Sequence, residues 1–322
     1  MAVERTALVV GAGGGVGGEM VRALSRRGWR VRALARSAKP ATVPDAVDWH
    51  RGDVMQAEDV RRAAEGAQVI VHAVNPPGYR GWGQRVLPML DSTLAAARAE
   101  RARVLLPGTV YNFGPETFPL VAEDAPQRPP TRKGEIRVAM EQRLAAAADG
   151  GVRTLILRCG DFFGPHAGNS WFSLGLLKAG VPPRRVSYPA APEHRHAWAY
   201  LPDVAETAAR LLEREDELAE VECFHFGGYW LDGHELTAAI ACAAGRPGLR
   251  LARFPWWQVA LGAPFNETLR ELRKMRYLWR EPLQLDDRKL RAVLGGSPYT
   301  PLEEALRITL AGIGCLPPPQ RP

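Results

Sequence analysis

Cysteine is scarce in this sequence, with four residues in 322 (Cys159, Cys223, Cys242 and Cys315) and no C-x-x-C pair. That spacing supports neither a disulfide framework nor a structural zinc site, so a reducing, cytoplasmic location is expected. No apolar run reaches the roughly 20 residues that cross a bilayer, so no membrane partner is expected. Met1 to Thr6 lead directly into the strand-like Ala7 to Val10, without the pattern of a secretory leader. Internal repeats at solenoid periods and low-complexity linkers are also missing. So is any single block of basic charge. Lys and Arg outnumber Asp and Glu by 42 to 35, a net +7, and the pI is about 9.5. The arginines are scattered along helices and often stand beside acids, as in EREDELAE and ETLRELRK. This points away from nucleic acid and towards a basic pocket plus solvated helix faces.

What is present is an alternation. The 46% apolar and 24% charged content is that of an ordinary globular chain. From residue 4 to about residue 160 the apolar runs TALVVG, RVRALA, VDWHRG, QVIVHAV, RVLLPG and VRTLILR are separated by helix-length segments. Apolar strands joined by helical crossovers imply a parallel sheet covered on both faces. The expected fold class is α/β: a doubly wound parallel Rossmann-type sheet with a smaller C-terminal substrate lobe. After residue 160 proline-rich loops (GPHAGN, VPPRR, PAAPEH) break the rhythm and leave a few strands such as ECFHF. Residues 1–160 are therefore expected to form the Rossmann-type domain. Residues 161–322 are expected to form mainly the lobe, with some segments returning to that domain. Asp232 with Glu235, and Thr300 with Glu303, have capping-box spacing, and Pro301 falls in the first turn.

LVVGAGGGVGGEM places Gly11, Gly14 and Gly17 as G-x-x-G-x-x-G between the first strand and an amphipathic helix, with Gly15 and Val16 inside the motif. Glycines let the backbone turn tightly and approach a pyrophosphate, and the helix N-terminus favours the anion. The next strand ends in Arg36, with Arg32 and Lys39 nearby, where an NAD enzyme carries a carboxylate. A guanidinium there suits the 2′-phosphate of NADP(H), the expected cofactor.

These motifs resemble the extended short-chain dehydrogenase/reductase superfamily, of NAD-dependent epimerase/dehydratase type. GDVMQAEDVRRAAEGAQVIVHAV resembles its third strand, helix and fourth strand. The resemblance assigns Asp53 to the adenine, with Val54 beside it. Ala73 and Asn75, at the end of the fourth strand, are candidate cofactor-binding residues, with Asn75 lining the nicotinamide pocket or else only starting the NPPG turn. ILRCGDFFGP is similar to its L-R-x-x-N-V-Y-G-P, with Asp161 for the asparagine, and WAYLPDVAETAARLLE to its V-x-D-x-A segment. LDDRKLRAVLG and TPLEEALRITL resemble its C-terminus.

The family's catalytic residues do not carry over. The usual Ser/Thr position is Pro107, with Thr109 two places late. The tyrosine and lysine of Tyr-x-x-x-Lys are Lys133 and Arg137. KGEIRVAME is instead similar to K-x-x-I-R-x-x-I-E of the isoflavone, pinoresinol–lariciresinol and phenylcoumaran benzylic ether reductases. That resemblance implies Lys133 as the acid/base; Arg137, one turn on, is expected to touch the nicotinamide ribose or phosphate. Lys133, Arg137 and Glu141 are four apart, on one helical face. Glu141 is therefore expected to orient Arg137; the alternative is a surface charge stripe.

Tyr111 and Thr109, on the loop after the fifth strand, are further catalytic candidates. Asn112, Asp161, His166, Asn169, Trp171 and His196 are candidate substrate residues, and no metal is expected because no third ligand accompanies the histidines at ligand spacing. The expected function is an NADPH-dependent oxidoreductase acting on a C=O, C=N or polarised C=C of a small substrate. Two alternatives stay open: a nucleotide-sugar epimerase/dehydratase with rearranged residues, and a non-enzymatic NADP(H)-binding sensor or scaffold. The first needs paired cations for a diphosphate, with Arg184, Arg185 and Arg195 as candidates. A homodimer fits every reading.

Overall fold

The computed structural model describes residues 5–40, 43–76, 81–168, 170–296 and 299–317. In chain order the strands are β1 (Thr6–Val10), β2 (Arg30–Ala35), β3 (Asp48–Arg51), β4 (Val69–His72), β5 (Arg103–Thr109), β6 (Leu120–Val121) and β7 (Thr154–Cys159). They continue with β8 (Asp161–Phe163), β9 (Arg185–Tyr188), β10 (His196–Tyr200), β11 (Val221–Phe226), β12 (Tyr229–Leu231), β13 (Arg250–Arg253) and β14 (Gln284–Leu285). The helices are α1 (Gly15–Arg26), α2 (Ala57–Ala64), α3 (Trp82–Glu100), α4 (Arg132–Ala146) and α5 (Leu201–Leu212). Then follow α6 (Gly233–Ala243), α7 (Trp256–Gly262), α8 (Glu267–Lys274), α9 (Arg288–Leu294) and α10 (Leu302–Gly312).

The large sheet runs β3-β2-β1-β4-β5-β7-β11, and every neighbouring pair is parallel. β1, β4 and β7 are buried at every position, which explains their unbroken apolar sequences. On one face Met20 and Leu24 of α1 pack with Val204, Ala208 and Leu211 of α5. On the other, Val60 of α2, Leu90 of α3 and Met140 of α4 close the core. A third cluster, around Phe163, Tyr188, Trp198, Trp279 and Leu306, lies over the small sheets of the C-terminal half. The strand order reverses between β1 and β4, which opens a crevice at the carboxyl ends of the strands. Among the described residues no helix is long and apolar enough to cross a membrane.

ECFHF lies in β11, which pairs with β7 at the edge of the large sheet. One expectation needs correction. The capping box at Asp232 and Glu235 is present, but Thr300 does not cap α10. Its Oγ1 and N–H donate to the Asp203 carboxylate at 2.7 and 2.8 Å, and the helix starts after Pro301. Asp203 is buried and takes both donors, leaving the hydroxyl committed to α5.

Candidate active site

A cavity of about 270 Å³ lies at the crevice. Gly11 has φ +86°, and a Cβ there would stand 2.7 Å from the Ala73 carbonyl oxygen. A Cβ on Gly17 would stand 2.3 Å from the Gly11 carbonyl oxygen. Both positions require glycine. The Gly14 N–H donates to the Gly11 carbonyl at 3.0 Å and closes the turn. No side chain caps α1, and its first turn, Gly15, Val16 and Gly17, holds no acid. The positive end of the helix thus points at the crevice without a counter-charge.

Arg36, Asp53, Val54, Ala73 and Asn75 line this cavity. Of the three expected cations, only Arg36 is there. Arg32 donates to the Glu65 carbonyl and stands 3.8 Å from Asp48. Lys39 Nζ donates to the carbonyls of Asp45 and Val47 at 3.0 and 3.2 Å. The glycine cradle, the bare helix start and the exposed guanidinium groups of Arg36 and Arg85 border this crevice.

The second cavity, about 260 Å³, lies over the carboxyl end of β5. Tyr111, Asp161, Trp171, Phe254, Thr268 and Leu272 are among its lining residues, and Asp161 is its only charged group among the described residues. Asp161 Oδ2 is 2.7 Å from His196 Nε2. The His196 ring stacks on Trp279 with centroids 3.9 Å apart. His196 is 1% exposed, so it acts behind Asp161 and does not face a ligand. Trp171 holds the wall through edge contacts to Phe254 and Trp279, with centroids 5.3 and 5.2 Å apart.

Other candidates sit elsewhere. Asn112 is fully buried and its amide donates to Gln127 Oε1 at 2.9 Å, which corrects its assignment to the substrate. Thr109 Oγ1 accepts the Tyr111 N–H at 3.3 Å, so its hydroxyl caps the short turn that carries Tyr111 and does not line the cavity. His166 lies over the glycine loop, its carbonyl oxygen 2.7 Å from where a Gly15 Cβ would be, and lines a separate crevice there. Asn169 lies outside the described residues.

Lys133 opens α4, whose N-cap Thr131 accepts the Gly134 N–H at 3.2 Å. Gly134 is needed because a Cβ would meet the Tyr111 carbonyl oxygen at 2.3 Å, and this close approach pins Lys133 beside the Tyr111 loop. Lys133 is 2% exposed, with Nζ 3.3 Å from Glu271 of α8 and 5.7 Å from the Trp82 ring centroid. Burial pulls its ammonium down to about 8, against the opposing attraction of Glu271. One turn on, Arg137 stacks on Trp82 at 5.1 Å and donates to Asn75 Oδ1 at 3.0 Å. The neighbours of Lys133 reach both cavities: Asn75, bonded to Arg137, lines the first, while Thr268 and Leu272, flanking Glu271, line the second.

Glu141 does not orient Arg137. It forms a two-bond pair with Arg158 of β7, at 3.0 and 2.7 Å, and accepts from Gln127 at 2.9 Å. Arg158 Nη1 also donates to the Glu123 carbonyl at 2.9 Å and lies 3.0 Å from His225 Nε2. A guanidinium buried in β7 recruits the nearest carboxylate, and Glu141 supplies it. Sequence reasoning missed this network. Its signal was a charged residue inside the apolar run TLILRC, matched by His225 in VECFHF. Glu271 gave no such signal, because it sits on a mostly solvated helix.

Comparison with known proteins agrees with this architecture. The NAD dependent epimerase/dehydratase family matches residues 7–227. A 3-diazoavenalumate denitrifying reductase from a Streptomyces species is 32% identical over 180 residues, which are 50% of this chain and 57% of that protein. A 2-alkyl-3-oxoalkanoate reductase from Stenotrophomonas maltophilia (strain K279a) is 29% identical over 168 residues, covering 49% and 51%. The chain thus spans little more than half the length of these curated relatives. The UDP-glucose 4-epimerase of Brucella ovis in complex with NAD superposes with a TM-score of 0.74 at 18% identity, covering 96% of this chain and 98% of that one. For the UDP-glucose 4-epimerase of Thermus thermophilus in complex with NAD the values are 0.70 and 23%, with 96% and 98% covered. At these identities the two structures speak for the fold alone. The matched segment holds the glycine loop, the strand order and the Tyr111–Lys133 region together: this chain belongs to the NAD dependent epimerase/dehydratase family.

Proposed function

We propose that the chain is an NADPH-dependent reductase of a small, largely aromatic substrate, with Lys133 Nζ holding the proton that completes the reduction. The observation that carries this reading is a buried lysine, its pKa lowered to about 8, whose neighbours reach both the glycine-loop crevice and an aromatic cavity. Reduced NADP, when bound, supplies a hydride. The chain's own residues do the rest. The glycine loop and the start of α1 take the pyrophosphate, Arg36 the 2′-phosphate, and Asp53 and Val54 the adenine side. Arg137, bonded to Asn75, fixes the wall nearest Lys133. Reduction of a C=O, C=N or polarised C=C leaves an electron-rich atom that takes a proton, and a group with a pKa near working pH delivers it well. Tyr111, on a turn held by the Thr109 cap, lines the substrate cavity beside Lys133. Asp161, fixed by His196, orients a donor or cationic group of the substrate. The reductase names of two relatives, and the likeness of KGEIRVAME to the benzylic ether reductases, support the same chemistry.

The aromatic cavity does not favour the nucleotide-sugar alternative. None of its described lining residues is a cation for a diphosphate; of the three candidate cations, Arg195 is committed to Glu235 and to the Trp230 ring, while Arg184 and Arg185 line the adjoining cavity.

Calorimetric titration is expected to show NADPH binding at least ~10-fold tighter than NADH, since a charge-assisted bond contributes roughly 1.5–3 kcal/mol. Arg36→Ala should remove the preference. Equal affinities in the unaltered protein would sink the NADP assignment. Nicotinamide absorbance should then report NADPH consumption with one of a panel of aryl aldehydes, enones and imines. Tight NADPH binding without consumption across that panel would favour the sensor.

A further inference from the structure

A larger cavity of about 750 Å³ adjoins the aromatic one, and Leu174, Gly175 and Phe254 line both. Its charged lining has one sign. Lys178, Arg184, Arg185 and Arg246 contribute to it, and no carboxylate does. The four come from three segments: the turn after Phe172–Leu176, the start of β9 with the residue before it, and the loop after α6. All four residues are exposed, and none pairs with a carboxylate among the described residues. Some other arginines do have acids beside them, as Arg22 has Glu19, Arg61 has Glu58 and Arg143 has Asp91. Gathering four like charges around a concave surface without counter-charges is unfavourable unless an anion occupies it. The remaining walls, with Leu176, Leu177, Pro182 and Pro183, are apolar.

We infer that the substrate is an aryl-bearing carboxylic acid. Its reducible, aromatic end lies against Tyr111 and Asp161, and its carboxylate lies in the Lys178–Arg184–Arg185–Arg246 cavity. This rests on the reading of the aromatic cavity as the substrate site. The common wall decides the link between the two ends. Leu174, Gly175 and Phe254 have no polar side-chain atom, so they suit a hydrocarbon spacer and offer nothing to the hydroxyls of a sugar. Guanidinium groups pair with carboxylates through two parallel bonds, which fixes the end of the chain as well as attracting it.

The test uses the full-length chain and saturated probes that cannot be reduced: phenylbutyrate, phenylbutanol and phenylbutyl phosphate. Calorimetry should show phenylbutyrate binding at least ~10-fold tighter than phenylbutanol, with the difference shrinking as salt is raised. R184Q/R185Q, at exposed positions that leave the core untouched, should erase most of that difference while NADPH affinity stays as it was. Equal binding of acid and alcohol, or a preference that survives R184Q/R185Q, overturns the inference. A phosphate ester bound tenfold more tightly than the carboxylate overturns the choice of carboxylate. An acid preference that depends on the two arginines, in a protein that consumes no NADPH, upholds the inference and removes the reductase reading alone.

Discussion

Lys133→Met is expected to lower turnover by ~10²–10⁴-fold, the scale of one positioned acid or base, and to make the protein more stable at neutral pH. The two effects have one cause. Burial lowers the Lys133 pKa from 10.5 to about 8. The folded value lies below the unfolded one, so between pH 8 and 10.5 the unfolded chain holds the extra proton and stability rises with pH across that window. Below pH 8 the folded protein carries the full cost of a buried ammonium. At 1.36 kcal/mol per pKa unit, the fall from 10.5 to about 8 is a cost of about 3 kcal/mol. Methionine keeps the stem and removes the charge, and Glu271 retains Lys274 at 2.8 Å. A gain of roughly 1–3 kcal/mol is expected in denaturant unfolding at pH 7, shrinking towards pH 10. Lys133→Arg should not restore turnover, because a guanidinium stays protonated throughout this range. Wild-type turnover should itself fall as pH rises through about 8, as the proton on Nζ is lost. Unchanged turnover in Lys133→Met would reduce the residue to part of a charge stripe and shift attention to Tyr111.

The second large effect is structural. Glu141→Leu strips the carboxylate from a guanidinium whose side chain is 4% exposed. Breaking a buried pair from one side costs about 3–5 kcal/mol, because the other charge stays buried. The double change Glu141→Leu with Arg158→Met should recover most of that loss, since no lone charge remains. Urea titration of the three variants measures both numbers. A single-variant loss below about 1 kcal/mol would show that water already reaches Arg158. The network also ties α4 to the loop carrying Tyr111, through Gln127 and Asn112. Glu141→Leu should therefore lower turnover even at temperatures where it remains folded.

The parallel sheet was legible in the sequence because its central strands β1, β4 and β7 are buried at every position and read as largely apolar runs. The glycine loop was legible because only glycine tolerates contacts as close as that between Gly17 and the Gly11 carbonyl. Arg36 could be placed from its position at a strand end, but Arg32 and Lys39 could not be discounted. Their engagement with Asp48 and with backbone carbonyls depends on how separate segments meet. The same limit explains Glu141. Spacing along a helix shows which residues share a face; it does not show that β7 brings a stronger partner from 17 positions away. Thr300 failed as a cap for a like reason, since a buried carboxylate on another helix outcompetes a local backbone donor. Two features of the site, the Asp161–His196 pair and the cover that α8 places over Lys133, come from residues 35 and 138 apart, which no local pattern reports.

That cover has a bearing on speed. α8 buries none of its own side chains, and α7 before it buries only Val259. An element held by so little apolar area opens at a small fraction of the free energy of global unfolding, on the microsecond-to-millisecond scale. Each opening parts Glu271 from Lys133 and lets solvent reach Nζ; each closing shuts solvent out again. Under the proposed chemistry, opening of residues 256–274 would be the route by which Nζ regains a proton from solvent.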